Sequence, residues 1–156
     1  MSVSANPNHL HPSAWDAANR ARALLAELPL LGHKIEMAAR ISGTGAEALL
    51  VETLRFLSLC AWSDLTLSPS RPVDLAWHEL ILFTRAYRAF CDRHFGRFIH
   101  HHPGGSEKEN AAQFRRTVKL YTAFFGPPPT RFWGEVSGLA AAGTCGSCGG
   151  GPAAGP

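Results

Sequence analysis

The residue types best suited to chemistry gather in the second half of the chain. They are Asp74, His78, Cys91, His94 and the consecutive run His100, His101 and His102. Thiolates and imidazoles are good ligands for zinc and related divalent metals. A carboxylate one helical turn before an imidazole fixes its tautomer and orientation, which a metal ligand or a catalytic base requires. Asp74 and His78 have that spacing, so the pattern indicates a metal site with Asp74 as an orienting group.

A further pair of thiols lies near the C-terminal end, where Cys145 and Cys148 are separated by two residues. Such a pair supplies half of a structural zinc site, and the chain contains no second pair. The surrounding segment, residues 137–156, is rich in glycine and alanine and is predicted to be disordered, because it cannot bury enough surface to offset its backbone entropy. Four interpretations stay open: the pair completes the histidine site, forms a redox-labile disulfide, chelates metal adventitiously, or has no role.

Which histidines can share one metal depends on the helix that carries them. Residues 73–95 contain neither Gly nor Pro and are predicted to form one long helix that ends at Gly96. A straight helix would place His78 roughly 27 Å from Gly96, and the following residues return at most about 17 Å. A metal shared by His78 and His101 therefore requires a bent helix or a second chain. A cluster of Cys91, His94 and either His100 or His101 is geometrically easier to form.

Other interpretations of these residues are less well supported, or they assign the residues a structural role without chemistry. The zinc-protease helix motif fails because Leu82 stands where its second histidine belongs. A nucleophile–base pair of Cys91 and His94 lacks the helix N-terminus that lowers a thiol pKa. His94 is equally compatible with a hydrogen-bonded core histidine, and Cys91 with a small buried hydrophobic residue.

The elements that must position these residues are predicted to be helices throughout. The first helix begins near Ser13 and is stopped by Pro29, and the others are predicted at 33–41, 46–62, 73–95, 106–125 and 130–136. No stretch alternates as a strand does, so the chain is predicted to be an all-α bundle of five to six helices. The folded domain is predicted at residues 13–136.

Composition excludes several classes of protein. The chain has 156 residues, of which 46% are hydrophobic and 17% are charged, which is typical of a folded body rather than a disordered chain. A net charge of +3 without a clustered basic patch argues against nucleic-acid binding. No apolar run is long enough for a membrane span. Four cysteines without a secretion signal predict a cytoplasmic location.

Several blocks together resemble a known family. They are Pro69-Ser70, Val73 to His78 with its Trp77-His78 pair, Tyr87, Cys91, Phe95-Gly96, Ile99-His100-His101-x-Pro103, Thr117, Tyr121, Phe125-Gly126 and Trp133. The chain resembles the glycine-rich domain-containing protein family in its short bacterial form. Longer plant relatives carry RNA-binding motifs, whereas this chain has only a short glycine-rich end. Carried over residue by residue, the resemblance marks Asp74, Trp77, His78, Tyr87, Cys91, His100 and His101.

The combined prediction is a small helical module that binds a divalent metal, with zinc as the expected cofactor. The predicted ligands are His78, Cys91, His100 and His101, with Asp74 orienting them and Cys145 and Cys148 as further thiols. One alternative is a structural or protein-interaction domain with a protein partner. The other is a metal-assisted hydrolase in which His78 is the base and Asp74 orients it. The aromatic residues Trp77, Tyr87, Tyr121 and Trp133 are predicted to be core residues whose polar tips find partners.

Overall fold

Every regular element in residues 11–136, the part of the chain that the computed structural model describes, is a helix. The all-α prediction is therefore confirmed for these residues. A short 3₁₀ turn, Pro12–Ala14, precedes seven α-helices: α1 Ala17–Glu27, α2 Pro29–Ala39, α3 Thr44–Trp62, α4 Arg71–Leu82, α5 Thr84–Phe95, α6 Glu107–Phe125 and α7 Thr130–Trp133. The predicted disordered tail, with Cys145 and Cys148, lies outside the described residues.

The helix ends follow local capping chemistry. At the start of α1 the cap is Asp16, whose side chain accepts a hydrogen bond from the Asn19 amide, and not Ser13 as predicted. At α6 the side chains of Ser106 and Glu109 form a reciprocal capping box. As predicted, the first helix stops before Pro29: α1 ends at Glu27 with its cap at Leu28. Pro29 also occupies the first position of α2, where its missing N–H costs nothing.

The third helix forms the centre of the core. Its apolar residues cover most of its circumference, and it packs against α1, α2, α4 and α6. Leu49, Leu50, Leu54 and Leu57 are completely buried. Within residues 11–136, no helix is both long enough and apolar enough to cross a membrane.

A single break divides the predicted long helix into α4 and α5. At Phe83 the backbone has φ −81° and ψ 60°, and the Phe83 amide bonds to the Leu80 carbonyl three residues back. The prediction of one helix over residues 73–95 is therefore wrong, while its predicted end at Gly96, which has φ 63°, is confirmed. Because the chain turns at Phe83, the residues after α5 can return to the first turns of α4.

A buried carboxylate joins the helices on the other side of α3. Glu52 accepts hydrogen bonds from the Tyr121 hydroxyl at 2.6 Å and from Trp133 Nε1 at 2.8 Å. It also forms an ion pair with Arg55 at 2.9 Å. Each partner saturates part of the carboxylate, as a buried charge requires. This network fastens α6 and α7 to α3 and confirms that Tyr121 and Trp133 are core aromatics with bonded polar tips.

Candidate metal centre

The first turns of α4 present a carboxylate and an imidazole on one face. The Ser70 side chain caps the helix by accepting a hydrogen bond from the Val73 amide. Asp74 and His78 then follow one turn apart, and His78 Nδ1 lies 2.8 Å from the Asp74 carbonyl oxygen and 3.3 Å from Asp74 Oδ2. A carbonyl oxygen only accepts hydrogen bonds, so His78 Nδ1 carries the proton and the lone pair lies on Nε2.

The loop after α5 brings a second imidazole to the same face. It is held in place by a buried chain of hydrogen bonds: Trp77 Nε1 donates to the Tyr87 hydroxyl at 3.0 Å, which donates to the Ile99 carbonyl at 2.7 Å. Burial raises the pKa of Tyr87, so its hydroxyl remains a donor. The prediction that Trp77 and Tyr87 are core aromatics with bonded polar tips is confirmed. Through this chain, α4 and α5 together fix the backbone two residues before His101.

Three side chains from these two segments converge. His101 Nε2 lies 2.8 Å from Oδ1 of Asp74, which is 27 residues earlier in the chain. The imidazole rings of His78 and His101 are 4.2 Å apart at their centroids, and the His101 ring lies 4.5 Å from the Trp77 ring. One ligand atom from each of Asp74, His78 and His101 lies within 4.8 Å of the other two. We refer to these three residues as the Asp-His-His group.

The donor set fits a divalent metal. Two imidazoles and one carboxylate are donors that zinc accepts, and one ligand atom from each of the three residues lies within 4.8 Å of the other two. The shorter 2.8 Å contact between His101 Nε2 and Asp74 Oδ1 has the length of a hydrogen bond, and a metal held by the two side chains would take the place of the shared proton. His101 is 20% exposed and His78 is 51% exposed, so solvent reaches the group.

Two of the predicted ligands lie apart from this group. Cys91 is completely buried on α5, and burial raises the pKa of its thiol, which disfavours the thiolate that a metal requires. The His100 ring packs edge-on against Phe98, 4.7 Å away, rather than beside His101. Neither residue belongs to the Asp-His-His group. Asp74, predicted as an orienting residue, instead contributes an oxygen to the group itself.

The two remaining histidines of the region also lie away from the group. His94 packs among aromatic rings, with Phe90 at 4.5 Å and Trp15 at 5.9 Å. Burial, together with the nearby charges of Arg20 and Arg93, lowers its pKa. The sequence is compatible with His94 as a core histidine, and this aromatic setting fits that interpretation. His102 is exposed.

A cleft opens beside the group. It has a volume of about 690 Å³ and lies between the segment before α4 and the loop after α5, with the first half of α6 as its floor. Asp74 and His101 line it, whereas His78 does not. The hydrolase prediction needs a cleft that His78 can reach as a base, so the lining gives that prediction no support.

Two features of the folded protein were not predicted from the sequence. One is Glu52, for which the available signal was a lone carboxylate within the apolar run of α3. The other is Arg71, which lines the cleft and precedes Asp74 by three residues on α4. Residues three apart on a helix share a face, so this neighbour could be read from spacing alone.

The fold and the site define an all-helical protein with two histidines and one carboxylate gathered beside an open cleft. The family model described as UCP032817-like matches residues 34–123, which is more than half of the chain and includes the whole Asp-His-His group. The chain belongs to the UCP032817-like family. Comparison with the curated proteins found no match, and comparison with the solved structures found none either.

Proposed function

We propose that this protein is a helical module that binds one divalent metal ion, zinc in the first instance, through Asp74, His78 and His101. One observation carries the proposal: ligand atoms from two segments, 27 residues apart in sequence, lie within 4.8 Å of one another. Two imidazoles and one carboxylate are a recurrent donor set for zinc and for ferrous iron. Three protein ligands leave at least one coordination position for water or another molecule.

Supporting contacts around the group favour the metal proposal. Zinc-binding histidines usually have a second contact that fixes the ring. The His78 ring bonds the Asp74 carbonyl through Nδ1, and the His101 ring lies against Trp77. The Tyr87 hydroxyl anchors the loop that carries His101. The imidazoles are therefore positioned before any metal arrives, which lowers the entropy cost of binding.

The test is metal analysis of protein purified without a histidine tag. We expect the wild type to retain close to one zinc per chain after dialysis. His101→Ala and Asp74→Asn should each weaken zinc binding by more than the roughly 10–100-fold that loss of a supporting residue costs. His102→Ala is the matched control, because it removes an exposed imidazole from the same loop. Clearly sub-stoichiometric zinc in the wild type, or equal losses in His101→Ala and His102→Ala, would refute the proposal.

A structural role is the second candidate, and the 2.8 Å bond between His101 and Asp74 favours it. In this case the bond joins the loop to α4 and the cleft serves a protein partner. A chelator separates the two candidates: it lowers the thermal midpoint of a metal protein and leaves that of a purely structural group unchanged. Asp74→Asn destabilises the protein in both cases, so only the chelator result discriminates.

A family resemblance and a cellular location accompany the proposal. The resemblance to the glycine-rich domain-containing protein family stays part of it, supported by the Trp77-His78 and His100-His101 blocks that contribute residues to the group. A cytoplasmic location is likewise proposed, and the free thiols of Cys60 and Cys91 support it because a reducing compartment maintains free cysteines.

A further inference from the structure

The cleft beside the Asp-His-His group has firmly held walls. Arg97 Nη2 donates a hydrogen bond to the Cys60 carbonyl at 2.6 Å, which ties the loop after α5 to the end of α3. On the opposite wall, the Ser68 amide donates to Thr117 Oγ1 at 3.0 Å, which ties the segment before α4 to α6. Both walls are therefore fixed to helices. The volume of the cleft, about 690 Å³, is in the range of small-molecule sites.

The cleft reaches the group from one side only. Asp74 and His101 line its wall, whereas His78 is not among the lining residues. A molecule in the cleft can therefore contact Asp74 and His101 directly. This approach makes the cleft, and not the surface around His78, the place where a small ligand would meet the metal.

The charges in the cleft favour an anion once a divalent cation is bound. Arg71 and Arg97 line it together with two carboxylates, Asp64 and Asp74. The side-chain bonds of Arg97 go to carbonyl oxygens, which leave its positive charge uncompensated. Arg71 forms no ion pair with any residue between 11 and 136. A bound divalent cation would add two further positive charges, so the loaded cleft carries an excess of positive charge.

We propose that this cleft binds a small organic anion, with one oxygen of a carboxylate or phosphate group at the open position of the metal and the others paired with Arg71. A guanidinium presents parallel N–H donors that match such an oxyanion. Arg71 and Asp74 lie on the same face of α4. The Arg71 guanidinium nevertheless forms no ion pair with the Asp74 carboxylate, whose partners are His78 and His101. This inference rests on the proposed metal function and adds the class of its ligand.

The experiment loads the full chain with cobalt(II), whose visible spectrum reports the number and type of its ligands. Acetate and methylphosphonate are the probes, because they carry a single carboxylate or phosphonate group and do not strip the metal. We expect saturable spectral changes with at least one of them, and the tighter probe identifies the anion class. Arg71→Ala should weaken that binding at least tenfold, which corresponds to about 1.4 kcal/mol.

Arg85→Ala is the matched control, because it removes an exposed arginine on α5 that does not line the cleft. Cobalt content is measured first in each variant. If cobalt binds but neither probe gives a saturable change, or if both arginine variants weaken the probe equally, the anion inference fails and the metal proposal stands. If the wild type binds no cobalt and no zinc, both fail. Unchanged binding in Arg85→Ala with a loss in Arg71→Ala supports the inference.

Discussion

Replacing Tyr87 with Phe tests whether the buried hydrogen-bond chain positions His101. Tyr87 is completely buried, Trp77 is 5% exposed and Ile99 is 7% exposed. Loss of the hydroxyl leaves the Trp77 N–H without an acceptor and the Ile99 carbonyl without a donor. Each buried polar group left unbonded costs about 1–3 kcal/mol. Allowing for the desolvation that the hydroxyl itself no longer suffers, the free energy of unfolding should fall by about 2–4 kcal/mol.

Urea denaturation followed by circular dichroism measures this loss. With a slope of about 1.5 kcal/mol per molar urea, the midpoint should move down by roughly 1–3 M without a change in the slope. Zinc affinity, measured by competition with a chromogenic chelator well below the unfolding midpoint, should fall by roughly 10–100-fold. The physical reason is that the loop carrying His101 would no longer be anchored to α4 and α5.

Tyr121→Phe is the matched control for this prediction. Tyr121 is equally buried, and its hydroxyl also makes two hydrogen bonds, to Glu52 at 2.6 Å and from Arg55 at 3.1 Å. Those bonds hold α6 to α3 and do not touch the Asp-His-His group. It should therefore lose stability and keep its zinc affinity. A stability loss below about 0.5 kcal/mol in Tyr87→Phe, or the same zinc affinity in both variants, would refute the reasoning.

Two further predictions concern titratable groups away from the group. Because burial lowers the pKa of His94, the folded protein binds fewer protons than the unfolded chain, and stability should fall as the pH drops from about 6.5 through the lowered pKa. His94→Gln should flatten this fall in the urea midpoint, whereas the exposed control His102→Gln should not; equal slopes in His94→Gln and the wild type would contradict the assignment. Burial raises the pKa of the Cys60 thiol to about 12 and also raises that of Cys91. With the two tail cysteines changed to serine, the folded protein should react with a thiol reagent at pH 8 far more slowly than in urea, and equal rates would disprove the burial argument.

The helical class was predictable because local signals agree with tertiary structure nearly everywhere. Gly96 ends α5 with the left-handed backbone that glycine favours, and Ser106 with Glu109 forms a capping box at the start of α6. The break at Phe83 gives no such signal. The apolar spacing runs through it unchanged, from Leu80 on one side to Tyr87 on the other, so periodicity passes over the turn. The fourth helix packs against α2 and α3, whereas the Phe90 and Phe95 rings of α5 lie against Trp15. This tertiary packing, and not local propensity, accounts for the turn.

The same break explains which part of the site could be read from the sequence. Asp74 and His78 are one turn apart on any helix, so their contact follows from spacing. The contact of His101 with Asp74 depends on the turn at Phe83, so from the sequence alone that contact was only a conditional prediction. The Glu52 network depends on three helices that meet only in the folded protein, and spacing along one of them cannot reveal it.

The hydrogen bonds around Tyr87 and the contact between Asp74 and His101 close the same stretch of chain at two points. Breaking either contact loosens the loop that the other contact also holds. The losses in unfolding free energy from the two single variants should therefore not sum to the loss in the double variant. By linkage, a ligand or substitution that stabilises the contact between Asp74 and His101 also stabilises the hydrogen bonds of Tyr87, and the reverse effect has the same free energy. A substitution in the aromatic core around Tyr87 should therefore change the position of the His101 imidazole, although Trp77 is the core aromatic whose ring lies against it.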